Sequence, residues 1–440
     1  MTTSPTGPSP LPLRTVRVEN LSRVEGEGGL YARVENGVVR EVKLDIFEPP
    51  RFFEAFLRGR HFQEVPDITA RICGICPVAY QMSSVHAIEA AMGVTITPEI
   101  RALRRLLYCA EWIESHALHI YLLQAPDFLG YDSAIAMAAD HPKEVEQGLR
   151  LKKVGNNLLE ILGGRATHPV SVCVGGFYKA PRRAELLKLR SDFEWGIEAS
   201  IATVKLVSGL KFPNFNPDYE FVSLSHPDEY PMNERRIVSS AGVDIEPAEF
   251  ERVFLEEHVE HSTALHSKRA DNGKSYFVGP LARINLNFEK LMPRAKQAAK
   301  TCGITWPSKN PFQGIVARAV ELVHAYEEAL ALVDAYQQPV PSRVEIKVHA
   351  GEGSAATEAP RGVLYHRYRI NDQGLVEFAK IVPPTAQNYR RMEDDLRLYL
   401  PGILDRSEPE IARACENLIR NYDPCISCST HFLKLKLDRE

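Results

Sequence analysis

Two Cys-x-x-Cys pairs stand at opposite ends of this chain, Cys73-Gly74-Ile75-Cys76 and Cys425-Ile426-Ser427-Cys428. Such a loop aims two thiolates at one ion, and two loops folded together make a four-thiolate cage for a soft or borderline metal. A local zinc finger closes over a few tens of residues. Here the tertiary fold must return the end of the chain to its first cysteine loop. Taken alone, the spacing favours a structural zinc site.

The 440 residues, 44% hydrophobic and 25% charged, suffice for a large buried core. A formal net charge of −4 gives no reason to expect nucleic acid or an acidic membrane as partner. The basic cluster Arg101, Arg104 and Arg105 reads as a solvated helix face. No apolar run reaches membrane-spanning length. The N-terminus MTTSPTGPSPLPLR lacks the basic start and apolar stretch of a secretory signal, so a cytoplasmic location is expected, with residues 1–13 a disordered tail. Eight cysteines in this length are not a disulfide framework. Cys109, Cys173, Cys302 and Cys415, outside the pairs, read as buried structural thiols.

Residues 15–47 alternate in strand fashion around a turn at Glu35-Asn36-Gly37 and predict a small antiparallel sheet. From Ala79 to about Asp334 the pattern is mainly helical. Pro98–Leu123 carries Leu103, Leu106, Leu107, Ala110, Ile113, Ala117 and Ile120 at helical spacing behind a helix-starting proline. Further helices are predicted over 143–162, 181–208, 247–257 and 311–337. The stretch 212–246, rich in Pro, Asn, Ser and Asp, reads as a long irregular excursion. Strands are predicted at Arg343–His349, Gly362–Ile370 and Gly374–Val382, and a last helix over 408–420 leads to the second cysteine pair. The expected architecture is α+β and mainly helical. Residues 14–431 would form one domain, a central helical bundle with small peripheral antiparallel sheets. The sequence holds no strand–GxGxxG–helix unit and no spare cysteine cluster.

The residues around the pairs carry more. Arg71-Ile72-Cys73-Gly74-Ile75-Cys76-Pro77 and Asp423-Pro424-Cys425-Ile426-Ser427-Cys428-Ser429-Thr430-His431 resemble the two metal-binding signatures of the nickel–iron hydrogenase large subunit. The resemblance covers nearly the whole chain and implies that family's fold. It implies Cys73 and Cys425 as terminal thiolates on nickel. Cys76 and Cys428 would bridge nickel to an iron carrying carbon monoxide and two cyanides. Thiolates suit such a site as soft, strong donors that hold two metals close and leave a position for dihydrogen.

Other motifs follow the same resemblance. Ser22-Arg23-Val24-Glu25-Gly26-Glu27-Gly28-Gly29 resembles the N-terminal signature in which Glu25 takes the proton from heterolytic cleavage. Phe52–Arg60 resembles the stretch supplying a magnesium ligand, here Glu54, with His431 as another. Glu358-Ala359-Pro360-Arg361-Gly362 resembles the active-site arginine motif, which would lay Arg361 over the open metal position. Val382–Asn388 resembles the loop where Thr385 and nearby amides donate to a cyanide; Pro360 and Pro383 would line the same ligand pocket. Asp423 is expected to pair with Arg361. Ile113–His119 resembles a paired-histidine helix segment and gives His116 a place around the site. Two positions depart from many relatives. Tyr80 stands where a histidine bonds a bridging thiolate, and Ser115 where an aspartate lies. A phenol still donates a hydrogen bond but is no comparable base near neutral pH.

Among the family's branches the likeness is best to the cytoplasmic, NADP-linked heterotetrameric type, also called sulfhydrogenase. It implies oxidation of H₂ to protons and electrons in a subunit that itself holds no nicotinamide and no iron–sulfur cluster. Electrons would leave through an iron–sulfur small subunit, then flavin- and NAD(P)-binding subunits, across a large apolar interface. It also implies a maturation endopeptidase that removes Phe432–Glu440 after His431, although the alternating pattern of that tail also suits a final strand. The alternatives are an NAD- or deazaflavin-linked hydrogenase, a non-catalytic fold relative, and the zinc scaffold.

Overall fold

A computed structural model describes residues 14–430. The expected N-terminal tail, His431 and the expected propeptide lie outside the described residues. The first sheet forms where alternation predicts it, from β1 (Arg14–Val18), β2 (Gly28–Glu35) and β3 (Val38–Ile46), antiparallel in that order. Leu30, Ala32, Val42, Leu44 and Ile46 bury its inner face. Asn36 and Gly37 take the positive φ values that the tight hairpin demands.

The central helices are α1 (Pro77–Ala91), α2 (Pro98–Leu118), α3 (Pro142–Gly163), α4 (Arg190–Ser208) and α5 (Gly314–Asp334). α2 packs on α3 and α5, and α5 on α4. Gly155 allows the α2–α3 approach: a Cβ there would lie 2.9 Å from both the Ala110 carbonyl oxygen and the Glu114 nitrogen. The predicted Pro98–Leu123 helix ends its α-helical part at Leu118 and continues as a π-helical turn, His119–Gln124. The predicted 181–208 helix is split into Arg183–Leu187 and α4.

The region 212–278 departs most from expectation. The supposed irregular stretch holds β4 (Phe221–Ser225), β5 (Arg236–Ser239) and β6 (Asp244–Ile245). The helix predicted over 247–257 is a short helical stretch that gives way to β7 (Phe254–Glu257), which pairs with β8 (His266–Arg269). β9 (Phe277–Val278) completes a sheet of order β9-β4-β5-β6 and pairs with β4 in parallel, so the sheets are not all antiparallel. β4 is buried along nearly its whole length and shows little alternation. Phe250, Val253 and Phe254 have helical spacing, yet they serve a separate small core with Tyr276, Val363 and Tyr365.

Near the C-terminus the strand predicted at Arg343–His349 is not regular. The strand lies just beyond it, at β10 (Gly351–Ala359), in Gly- and Ala-rich sequence of low strand propensity. β10, β11 (Gly362–Ile370) and β12 (Val376–Val382) form an antiparallel sheet against which α1 packs. α6 (Pro384–Tyr399) and α7 (Glu408–Arg420) then deliver the second cysteine pair.

Charge on α2 was also misread from sequence. Arg104 and Arg105 are buried, not solvated, and pair with Glu89 and with Glu229 and Glu328. Spacing along one helix cannot reveal carboxylates contributed by others. Cys109, Cys173 and Cys415 are buried as expected, while Cys302 is only partly so.

Candidate metal centre

Cys73 follows a 3₁₀ turn and Cys76 directly precedes α1, whose first residue, Pro77, has no N–H to satisfy. The Cys76 side chain does not cap the helix. Glu111 of α2 does so instead, accepting from Val78 N–H at 2.6 Å and Ala79 N–H at 3.1 Å. Within the loop, Cys73 Sγ accepts from the amides of Ile75 at 3.3 Å and Cys76 at 3.1 Å.

The second pair is held from remote parts of the sequence. Ile426 N–H donates to the Glu25 carbonyl at 2.8 Å, and Ser427 N–H to Glu25 Oε2 at 3.1 Å. Cys425 N–H donates to Thr385 Oγ1 at 3.1 Å. Arg51 clamps both loops, donating to the Ile72 carbonyl at 2.7 Å and to that of Ser427. Its own amide holds the Thr430 carbonyl at 2.6 Å.

The four sulfurs, all buried, then lie within 4.8 Å of one another. Cys73 and Cys425 are 3.5 Å apart, Cys76 and Cys428 3.9 Å, and Cys425 and Cys428 2.8 Å. Cys425 Sγ is 3.0 Å from Glu25 Oε2. Burial and the neighbouring sulfurs push the Cys425 thiol well above its ordinary range. Burial opposes ionisation of Cys73 too, but hydrogen bonds from the other thiols and the Arg361 charge outweigh it and pull Cys73 well down. The cluster thus favours a thiolate at Cys73 first.

Arg361 sits in the turn between β10 and β11. Its Nε donates to the Asp423 carbonyl at 2.8 Å and its Nη2 to Asp423 Oδ1 at 3.1 Å, so the expected pair is present in the geometry. Asp423 adopts a left-handed conformation, φ 52°. Gly362 has φ 130°, and a Cβ there would lie 2.8 Å from Gly279 N. Beneath the turn, Arg283 of the short helix Pro280–Asn287 donates to the carbonyls of Ala359 at 2.8 Å and Pro360 at 2.9 Å. It pairs with Glu321 at 2.7 Å and Glu358 at 2.9 Å. Burial pushes Glu358 up to about 7 despite Arg283.

His116 joins this network through Glu321 at 2.9 Å; its hydrogen bond does not go to a thiol. Sequence reading missed Arg283, Glu321, Glu358 as a charge partner, and Glu111. The one available signal was carboxylates set among apolar residues, as in Ala110-Glu111-Trp112 and Val320-Glu321-Leu322.

Pro360 and Pro383 are buried, Pro383 at the start of α6 beside Thr385. Tyr80 is buried in the field of Cys428 and Cys76, and burial followed by those charges raises its pKa far above the ordinary phenol value. Glu54, in the short helix Phe53–Leu57, is buried and accepts from Ile381 N–H at 2.9 Å. Its helix lies just beyond Arg51, which anchors Thr430 next to His431. Three buried atoms, Arg361 Nη1, Asp423 Oδ2 and Tyr80 Oη, have no hydrogen-bond partner among the described residues. Four buried sulfurs with such polar groups alongside fit a metal group that carries its own polar ligands.

The family described as nickel-dependent hydrogenase matches residues 51–149 and 267–431. Sulfhydrogenase 1 subunit alpha of Pyrococcus furiosus is 35% identical over 96% of this chain and 98% of its own length. Sulfhydrogenase 2 subunit alpha of the same organism is 36% identical, over 96% of this chain and 100% of its own. A solved NAD⁺-reducing nickel–iron hydrogenase in the H₂-reduced state aligns with a TM-score of 0.83 at 25% identity, covering 95% of this chain and 99% of that one. No helix among the described residues is long and apolar enough to cross a membrane. With its four thiols on these two loops and relatives matched end to end, this chain belongs to the nickel-dependent hydrogenases, oxidoreductases acting on hydrogen, as a large catalytic subunit.

Proposed function

We propose that the chain is the H₂-activating subunit of a cytoplasmic, NADP-linked enzyme of the sulfhydrogenase type, with Glu25 as first proton acceptor. The observation that supports the proton role is the 3.0 Å contact between Cys425 Sγ and Glu25 Oε2 inside a buried thiol cluster. A nickel–iron group bearing one carbonyl and two cyanides, held by Cys73, Cys76, Cys425 and Cys428, would supply an electrophilic centre for dihydrogen.

The protein's own part follows from its contacts. Cys425 holds the released proton at Sγ and passes it to Glu25 Oε2, which Ser427 N–H keeps oriented at 3.1 Å. Arg361, fixed by Asp423, sets its guanidinium charge in the field of Cys425, Cys76 and Cys73 and would lie over the open metal position. Thr385 already accepts from Cys425 N–H, so its hydroxyl proton remains available to a cyanide, in a pocket bounded by Pro360 and Pro383. Tyr80 and His116 complete the surroundings. Glu54 and His431 would hold magnesium at the C-terminal end, once an endopeptidase has removed residues 432–440. Electrons would pass to an iron–sulfur small subunit and on to flavin- and NAD(P)-binding subunits.

Infrared spectra of the purified complex test the site: one carbonyl and two cyanide bands, with nickel and iron present, are expected. Glu25→Gln should keep those bands and lose at least about a hundredfold in H₂ oxidation, an effect of general acid–base size. Unchanged turnover rejects the proton role. Reduction of NADP⁺ rather than NAD⁺ tests the acceptor. The likeness to an NAD⁺-reducing enzyme favours NAD as the second reading. Mass spectrometry of the mature subunit tests the tail, with a chain ending at His431 expected.

A further inference from the structure

We propose a second metal site, apart from the thiol cluster, formed by His261, His266 and Glu393 and suited to zinc or a similar borderline divalent cation. A nitrogen from each ring and a carboxylate oxygen lie within 4.8 Å of one another. The three residues come from separate segments: the β7–β8 connection, the start of β8, and α6.

His261 Nε2 is 2.7 Å from Glu393 Oε1. His266 is only 2% exposed, and its Nε2 has no hydrogen-bond partner among the described residues. Its ring stacks on Tyr389 with centroids 5.5 Å apart, which fixes its plane. A buried nitrogen left unpaired costs about 1–3 kcal/mol, and coordination by an ion removes that cost.

Two imidazoles and a carboxylate are a known donor set for zinc, which keeps a fourth position for water. Bonds of about 2.0–2.2 Å imply ligand separations near ~3.3 Å, so the His261–Glu393 contact opens slightly on binding. Glu393 is oriented by Leu44 N–H, which donates to Oε1 at 2.9 Å, while Arg397 lies 3.6 Å from Oε2. His261 lines two surface cavities of about 510 and 350 Å³, which give an ion a route from solvent. Once bound, the ion ties the β7–β8 hairpin to α6, whose first turn carries Thr385 beside the metal centre.

The test uses the mature complex, its thiols already committed, titrated with Zn²⁺ alone and separately with Co²⁺. The expected result is one more tightly held zinc per large subunit than in His266→Gln or Glu393→Gln. Cobalt should give tetrahedral ligand-field bands without a thiolate charge-transfer band. His261→Gln alters a partly exposed side chain, so it remains informative if the buried variants fail to fold; it should weaken zinc binding at least tenfold. Equal zinc affinity in wild type and His261→Gln, or a cobalt spectrum dominated by thiolate, would overturn the proposal.

Discussion

The two cysteine loops hold equivalent sulfurs by different means. The Cys73–Cys76 loop is part of the start of α1, a helix buried on almost every side, and is anchored from outside by Glu111 and, at Ile72, by Arg51. The Cys425–Cys428 loop lies after the last described α-helix and is held by Glu25, Arg51, Thr385 and, through Asp423, Arg361. The first loop is rigid because its local structure is rigid. The second is rigid because four distant segments converge on it.

This contrast predicts a graded series of effects. Cys425→Ala should abolish H₂ turnover while leaving the far-ultraviolet circular dichroism of the subunit unchanged, and residual turnover above about one per cent of wild type contradicts the assigned ligand. Arg283→Met leaves Glu321 and Glu358 buried without their cation, and should lower stability by about 3–5 kcal/mol in denaturant titrations. Less loss would mean that the turn carrying Arg361 is braced elsewhere. Glu111→Gln keeps one acceptor for the α1 amides and should cost about 1–3 kcal/mol, felt at the first loop and not the second. Cyanide bands that shift in this variant as much as in one of the second loop would erase the contrast.

Two smaller effects sharpen it. Glu358 titrates near 7 in the folded protein against an ordinary 4.5. Between those values the folded state binds the extra proton, so stability should fall as pH rises through that window. Glu358→Gln should flatten that slope, and a slope that persists assigns it to another group. Thr385→Val removes the acceptor for Cys425 N–H and should cost about 1 kcal/mol. With the proposed nickel–iron group bound, its cyanide stretching bands should shift while metal content holds.

Legibility in the sequence followed the reach of each interaction. The cysteine pairs announce themselves through spacing, and α2, α3 and α7 through periodicity and helix-starting prolines. Glu25, Glu54, Arg361 and Thr385 are unremarkable carboxylate, guanidinium and hydroxyl groups in isolation, and only their motif context singled them out. Arg104 and Arg105 look solvated because nothing local shows Glu89 and Glu328 approaching. β4 to β9 were lost because their strands are short, too short for a period of two to stand out, and β4, β8 and β9 are buried at nearly every residue, which erases it. Arg283, Glu321 and Glu111 could not be ranked at all, since a buried charge is defined by its partners.

What the sequence alone determined was the donor chemistry and the requirement that the chain's two ends meet: four thiols in two short loops permit little else. The tertiary structure decided which carboxylate touches Cys425, which arginine braces the Arg361 turn, and that His261, His266 and Glu393 share one place. Local backbone preferences act over a few residues and can be read in order. Burial and pairing join residues hundreds of positions apart, and those contacts exist only once the core has closed around them.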